Sequence, residues 1–132
     1  MVAVAILLLS HSLMAAGSHK HSKQTTSSDP GYVFALATAN RFLHAWQTGD
    51  LETGMVLLSD HVRHSQNPET FEQLFSADAD RAFEIGRGQG NRGRYRFAVA
   101  LVTSPGGRIR RHFSEIIVVN TGKNDWAIDK LP

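Results

Sequence analysis

The hydrophobic pattern of this chain changes its period once, close to Arg81, and that change restricts the folds open to it. Before Arg81, apolar residues recur at the spacing of amphipathic helices, and after it they alternate with polar residues as in strands. A block of helices followed by a block of strands predicts an α+β domain. In such a domain the N-terminal helices pack on one face of a mostly antiparallel sheet.

The helical half divides at Gly49 and Asp50. An apolar stripe at helical spacing predicts a first helix over about residues 33–47; it contains Ala35, Ala39, Phe42, Leu43 and Trp46. Gly49 suits a left-handed C-terminal cap, and Asp50 can cap a second helix over about residues 51–58. The following "HVRH", residues 61–64, predicts one brief strand. Asn67 as a cap and Pro68 in the first turn then predict a short third helix that is over by residue 78.

The second half predicts four strands joined by short turns. They are "AFEIGRG", "RYRFAVALVTS", "RIRRHFSEIIVVN" and "DWAIDKL". Glycine-rich and proline-containing segments separate them, at residues 88–93, 104–107 and 121–125. Because three short connections follow one another, the sequence predicts an antiparallel meander.

The chain before the folded domain has two parts. Residues 1–17 contain an apolar run and then small residues, which predicts a cleaved export signal, although no Lys or Arg precedes the run. A polar linker is predicted for residues 18–30 and the domain for residues 31–132. The protein is therefore expected in the periplasm or outside the cell, or in the cytoplasm if the segment is not a signal. An uncleaved segment would instead anchor it to the membrane.

Two motifs carry a resemblance to a known superfamily. The helix end "ANRFLHAWQTGDLETGMVLL" and the last strand "NDWAIDKL" make residues 31–132 similar to the nuclear transport factor 2-like superfamily, which includes ketosteroid isomerase and polyketide-cyclase-like proteins. The resemblance implies a curved sheet folded around the helices into a cone-shaped barrel, with a pocket between the first helix and the sheet. Members of the superfamily use this pocket for catalysis or for ligand binding, so the fold does not determine the function.

Three residues are the candidates for acid–base catalysis: Glu115, Asp60 and His61. Asp60 and His61 supply the residue types of a dehydratase-like pair, and they equally suit a polar corner. Glu115 shares a strand face with Arg111 and Phe113 and needs a cationic partner, either Arg111 or Arg96. If that face is concave, Glu115 is a polar centre in an apolar pocket, and if it is convex, it is a solvated cross-strand pair.

The implied pocket has six candidate lining residues, which are aromatic side chains and one arginine: Trp46, Tyr95, Phe97, Arg111, Phe113 and Trp126. The sequence has no cysteine, and no cofactor or metal site is predicted. A small apolar ligand and a second copy of the chain, bound through the sheet, are the expected partners.

Charge is unevenly distributed along the chain. Residues 81–132 contain ten Lys and Arg against four acids, a net of +6, whereas residues 1–80 have a net of −4. The arginines fall at hairpin ends and could meet a polyanion. Because the neighbouring aromatics are needed for the core, and because an export signal is predicted, nucleic acid is not expected as a partner.

Two function hypotheses follow. One is an exported, non-catalytic domain that binds a ligand or a protein. The other is a small cofactor-free isomerase, dehydratase or cyclase that uses Glu115, Asp60 or His61 on an apolar substrate. They differ in whether these acids face an enclosed cavity with a second polar group in reach.

Overall fold

The computed structural model of the chain describes residues 29–76 and 79–132. Its helices are α1 (Pro30–Thr48), α2 (Leu51–Val56), α3 (Asp60–Ser65) and α4 (Pro68–Phe75). Its strands are β1 (Arg81–Ile85), β2 (Gln89–Asn91), β3 (Arg94–Thr103), β4 (Arg110–Gly122) and β5 (Asp125–Lys130). Helices precede a curved, unclosed antiparallel sheet, so the predicted α+β class is confirmed.

Helix α1 begins at Pro30, three residues before the predicted start, because Asp29 caps it. The Asp29 Oδ1 accepts a hydrogen bond from the Gly31 N–H at 3.0 Å, and Pro30 fits the first turn, where no amide partner is needed. At the other end Gly49 is left-handed, with φ 69°. Its N–H donates to the Trp46 carbonyl, and the Asp50 N–H donates to the Ala45 carbonyl at 2.8 Å. The predicted corner at Gly49 and Asp50 is confirmed.

The predicted strand at residues 61–64 is wrong, because this segment belongs to α3. The Ser59 hydroxyl accepts from the Val62 N–H at 3.2 Å and so caps a helix, while Val62 is buried. Extended pairing here is limited to one parallel bridge between Leu58 and Ile128. The one β-branched residue of this segment, Val62, therefore did not produce a strand.

The sheet order is β1-β3-β4-β5, and β2 pairs with the opening of β3 beside β1. The connection predicted as a plain turn at residues 88–93 thus contains a fifth strand. Gly90 allows this pairing, because its φ is 142° and a Cβ there would lie 2.1 Å from the Arg94 carbonyl oxygen. The meander from β3 through β5 matches the prediction.

The core lies between α1 and one face of the sheet. Tyr95, Phe97, Val99 and Leu101 alternate along β3 toward the helices, and Ile116 and Val118 continue this face on β4. From the helices come, among others, Phe42, Leu43, Trp46, Phe71 and Phe75. The sheet therefore has an inner face under the helices and an outer face that no other element covers in the described part of the chain.

The apolar run of the predicted export signal lies outside the described residues, as does the linker up to residue 28. Within residues 29–76 and 79–132, no helix has the length and apolar character needed to cross a membrane.

Candidate functional site

The six pocket-lining candidates do not form one site. Trp46, Tyr95 and Phe97 are buried in the core on the inner face, where they fill the space between α1 and the sheet. Arg111 and Phe113 lie on the outer face of β4, and the Phe113 side chain is 75% exposed. Trp126 is half-buried at the start of β5 and borders two surface hollows.

Glu115 lies on the outer face, in a group of charges between three strands. Its Oε1 accepts a hydrogen bond from the Lys130 Nζ at 2.8 Å, and its Oε2 lies 3.4 Å from the Arg96 Nε. The Lys130 hydrogen bond lowers the pKa of the Glu115 carboxyl, with a smaller contribution from Arg96 that acts against the effect of partial burial. The expected partnership with Arg96 is present, and the geometry is that of a solvated cross-strand pair.

Asp60 and His61 open α3 at the surface. The Asp60 carboxylate lies 3.8 Å from the Arg63 guanidinium, and the His64 Nδ1 lies 2.7 Å from the Asp60 carbonyl oxygen rather than from its carboxylate. His61 is exposed. The two acid–base candidates therefore share a helix turn, but the ion pair of Asp60 is with an arginine.

A groove runs along the outside of α1, between this helix, the α2–α3 corner and the β4–β5 turn; we call it the α1–β5 groove. It has a volume of about 480 Å³. Its apolar wall includes Phe34, Val56, Leu58 and Trp126, and its polar rim includes Arg41 and Asp60. Of the three catalytic candidates, Asp60 alone lines this groove.

Two apolar side chains of this groove are exposed to solvent. Phe34 is 46% exposed and Val56 is 70% exposed. Arg41 stands one helical turn beyond Thr38 on the same side of α1, and its side chain makes no hydrogen bond or ion pair with any residue in the described ranges. The groove thus combines unburied apolar surface with a guanidinium whose donors are free for a ligand.

A second hollow, of about 470 Å³, lies where the N-terminus of α1 meets the ends of the strands. In it the Tyr95 hydroxyl donates a short hydrogen bond to the Asp29 Oδ2, and the Tyr95 ring packs edge-on against Tyr32. Burial and the Asp29 carboxylate raise the pKa of Tyr95 to about 12. Since both oxygens of Asp29 are occupied, by Tyr95 and by the amide of Gly31, the pair ties α1 to the sheet.

We expect Tyr95→Phe to lower the free energy of unfolding by about 1–2 kcal/mol, because it deletes a hydrogen bond to a carboxylate. The folded-state pKa of Tyr95 is about 12 against an ordinary value of 10.0, so this contribution is complete below pH 10 and is lost as the pH rises toward 12. Urea denaturation of both proteins from pH 7 to 11.5 measures it. A stability difference that stays constant above pH 10 would contradict the assignment.

Within residues 29–76 and 79–132, no group of three or more His, Cys, Asp or Glu side chains is arranged to hold a metal ion. Asp129, another acid of the last strand, is bound by the Ser59 hydroxyl at 2.8 Å and by Arg94 at 3.4 Å. The described acids singled out from the sequence are thus mostly engaged in surface or cross-strand contacts.

No protein-family model matches the chain, and no curated protein matches it. Solved structures do match. A SEC-C motif-containing protein from Rhodopseudomonas palustris is 10% identical, with a TM-score of 0.60 over 71% of this chain and 73% of that one. An NTF2 design is 16% identical, with a TM-score of 0.58 over 72% of this chain and 91% of that one. A protein described as an NTF2-like transpeptidase, from Campylobacter jejuni, is 11% identical, with a TM-score of 0.50 over 73% and 97%.

Helices on one face of a curved, unclosed antiparallel sheet define the class of this domain. Together with the matching structures, they show that the chain has a nuclear transport factor 2-like (NTF2-like) fold, as the sequence motifs predicted. At such low identities the similarity establishes the fold and leaves the activity open.

Sequence reasoning did not select two residues that the structure makes prominent. Asp29 falls within the predicted linker, although an Asp directly before a Pro is a signal for a helix start. Arg41 has no sequence signal, because an exposed arginine on a helix carries no pattern of its own. Its position beside β5 depends on the long-range packing of α1 against the last strand.

Proposed function

We propose that this domain is a non-catalytic binding module that takes up a small amphipathic anion in the α1–β5 groove. The observation that carries the proposal is the coincidence in one groove of exposed apolar side chains and the Arg41 guanidinium, which has no partner among residues 29–76 and 79–132. A ligand with an apolar body and a carboxylate would cover Phe34 and Val56 and place its charge on Arg41.

The groove has the dimensions of a ligand site. A volume of about 480 Å³ lies within the usual range of about 300–1,000 Å³ for small-molecule pockets. It is open along one side, so a ligand remains partly solvated, and we expect dissociation constants of about 0.1–1 mM for simple fatty acids. Ligands with more apolar surface should bind more tightly.

The enzyme hypothesis has weaker support from the geometry. General acid–base catalysis needs two groups that converge on one substrate at hydrogen-bond distance. Asp60 lines the groove, but its ion pair is with Arg63, and Glu115 is held by Lys130 on the outer face of the sheet. Binding needs only the groove itself.

Octanoate is a suitable probe, and octanol is its uncharged counterpart. We expect octanoate to shift the amide NMR signals of Thr38 and Trp126 saturably in the full chain, and Arg41→Gln to weaken its binding about fivefold, or about 1 kcal/mol. Octanol should bind the two proteins equally. Arg87→Gln removes an exposed arginine that does not line the groove and serves as the charge control.

A second variant tests the apolar part of the site. Ala37 lines the groove from the exposed side of α1, so Ala37→Phe should fill it and reduce the binding of octanoate and octanol alike, without disturbing the core. Signal shifts elsewhere in the domain, or unchanged affinity in both Arg41→Gln and Ala37→Phe, would reject the groove as the binding site.

A further inference from the structure

The β3–β4 turn and the first residues of β4 leave two large apolar side chains in solvent, Ile109 in the turn and Phe113 on the outer face of β4. Ile109 is 73% exposed and Phe113 is 75% exposed. Gly106 and Gly107 take positive φ angles of 59° and 80° in the turn, so the chain reverses beyond the last strand pair and projects past the sheet. The α1–β5 groove does not include any of these residues.

Three arginines are neighbours of these apolar residues in the sequence, and Arg111 shares the outer face of β4 with Phe113. Arg108, Arg110 and Arg111 are all exposed, and none of their side chains makes a hydrogen bond or an ion pair with residues 29–76 or 79–132. The other cations of the sheet differ in this respect, since Arg94 is bound to Asp129 and Arg96 to Glu115. The β3–β4 hairpin, defined here as residues 104–113, is therefore both apolar and strongly basic.

Two acids, one on β1 and one just before it, lie nearby and are not paired with these arginines. Glu84 is exposed on the outer face and lies with Phe113 along a shallow hollow, and the Asp80 carbonyl, rather than its carboxylate, accepts from the Ser104 amide. Residues 104–113, which form the hairpin itself, contain no acid. Among the described residues, the hairpin arginines thus have no acidic partner.

We propose that the β3–β4 hairpin docks on the surface of an anionic phospholipid bilayer. Ile109 and Phe113 would enter the boundary between headgroups and acyl chains, while the three arginines meet the lipid phosphates. This is reversible adsorption and requires no membrane-spanning segment.

The combination of side chains favours a lipid surface over other polyanions. Proteins that bind single-stranded nucleic acid combine basic groups with several aromatic side chains that stack on successive bases. The hairpin exposes one aromatic side chain, Phe113, and Ile109 has no such role on a base. A surface that exposes one aliphatic and one aromatic side chain among arginines instead suits insertion into a soft, anionic layer. Each arginine near such a surface raises the partition coefficient about fivefold, so the three together supply about 100-fold.

Co-sedimentation of the full chain with phosphatidylcholine vesicles, with and without phosphatidylglycerol, tests this proposal. We expect binding to rise with the phosphatidylglycerol fraction, to fall about 100-fold in Arg108→Gln/Arg110→Gln/Arg111→Gln, and to fall in Ile109→Ser/Phe113→Ser. The matched control is Arg87→Gln/Arg92→Gln/Lys123→Gln, which removes the same charge from exposed positions outside the hairpin and should retain most of the binding. Because all variants share the apolar N-terminal run, the differences between them report the substituted residues.

An Ile109→Trp variant reports insertion directly, because its added emission should shift to the blue with anionic vesicles and be quenched by brominated acyl chains. Equal losses in the hairpin and control triple variants would overturn the proposal, as would binding that ignores the phosphatidylglycerol fraction. So would binding to duplex DNA without binding to vesicles. If Phe113→Ser instead converts a dimer into a monomer while the wild type ignores vesicles, a second copy of the chain covers this face.

Discussion

Phe42→Ala is expected to lower the free energy of unfolding by about 3–5 kcal/mol, the largest effect we predict for a single substitution. Phe42 is fully buried at the centre of α1, and its ring meets the edge of Phe75 with ring centroids 5.6 Å apart. Truncation removes the apolar contacts and leaves a cavity between the helix and the sheet that the surrounding side chains cannot fill. The free energy of unfolding of such a domain is only about 5–15 kcal/mol, so the substitution would remove a large part of it.

Urea denaturation followed by circular dichroism measures this loss. Phe34→Ala is the matched control, since it makes the same truncation on the same helix at a side chain that is 46% exposed, and it should cost less than about 1 kcal/mol. Similar losses in the two variants would show that α1 does not pack as described.

Gly54→Val is expected to destabilise the protein by about 3 kcal/mol through overpacking. A Cβ on Gly54 would lie 2.1 Å from the Phe75 Cζ and 2.4 Å from its Cε1, so the whole ring would have to move. The ring is buried against Phe42 and has little space to do so. Replacing a helical glycine usually stabilises a helix because other residues have a higher helix propensity. The β-branched valine has a low helix propensity, so this benefit is small here.

A double variant separates this clash from a general effect on α2. Phe75→Leu shortens the obstructing side chain, so Gly54→Val/Phe75→Leu should be more stable than the sum of the two single losses by at least about 1 kcal/mol. Additive losses would mean that Gly54 is required for a reason other than its contact with Phe75.

Both predictions concern the core packing that holds the walls of the α1–β5 groove in place. Phe42 lies on the buried side of the helix whose outer side carries Phe34 and Arg41, so the packing that stabilises the domain also places the proposed ligand contacts. A rigid helix is a better platform for a guanidinium than a loop, because it fixes the direction of the charge.

The fold was largely predictable because it depends on local patterns. The stripe that contains Ala35, Phe42 and Trp46 predicted α1, the glycine at 49 predicted its end, and the alternation from Tyr95 to Leu101 predicted the inner face of β3. The failures came where a local signal was weak. One valine suggested a strand at residues 61–64, where the Ser59 cap determined a helix, and glycines concealed the pairing of β2 with β3.

The candidate site was less predictable, since it depends on which residues meet across the fold. Strand alternation placed Glu115, Arg111 and Phe113 on one face, but it could not say whether that face lies under the helices. The buried Ile116 and Val118 place it on the outside. For the same reason Trp46 and Phe97 belong to the core, whereas Phe113 is in solvent.

By itself, the sequence determined the α+β class and the basic second half, because hydrophobic period and charge are properties of neighbouring residues. Its motifs at the end of the first helix and in the last strand also predicted the NTF2-like fold. Only the tertiary structure decided that Arg41 faces an apolar groove beside β5 and that the arginines of the β3–β4 hairpin have no acidic partner among the described residues. The groove joins residues that are far apart in the chain, and the packing of α1 on the sheet brings them together. Which acids lie near the hairpin arginines likewise depends on how the strands pair.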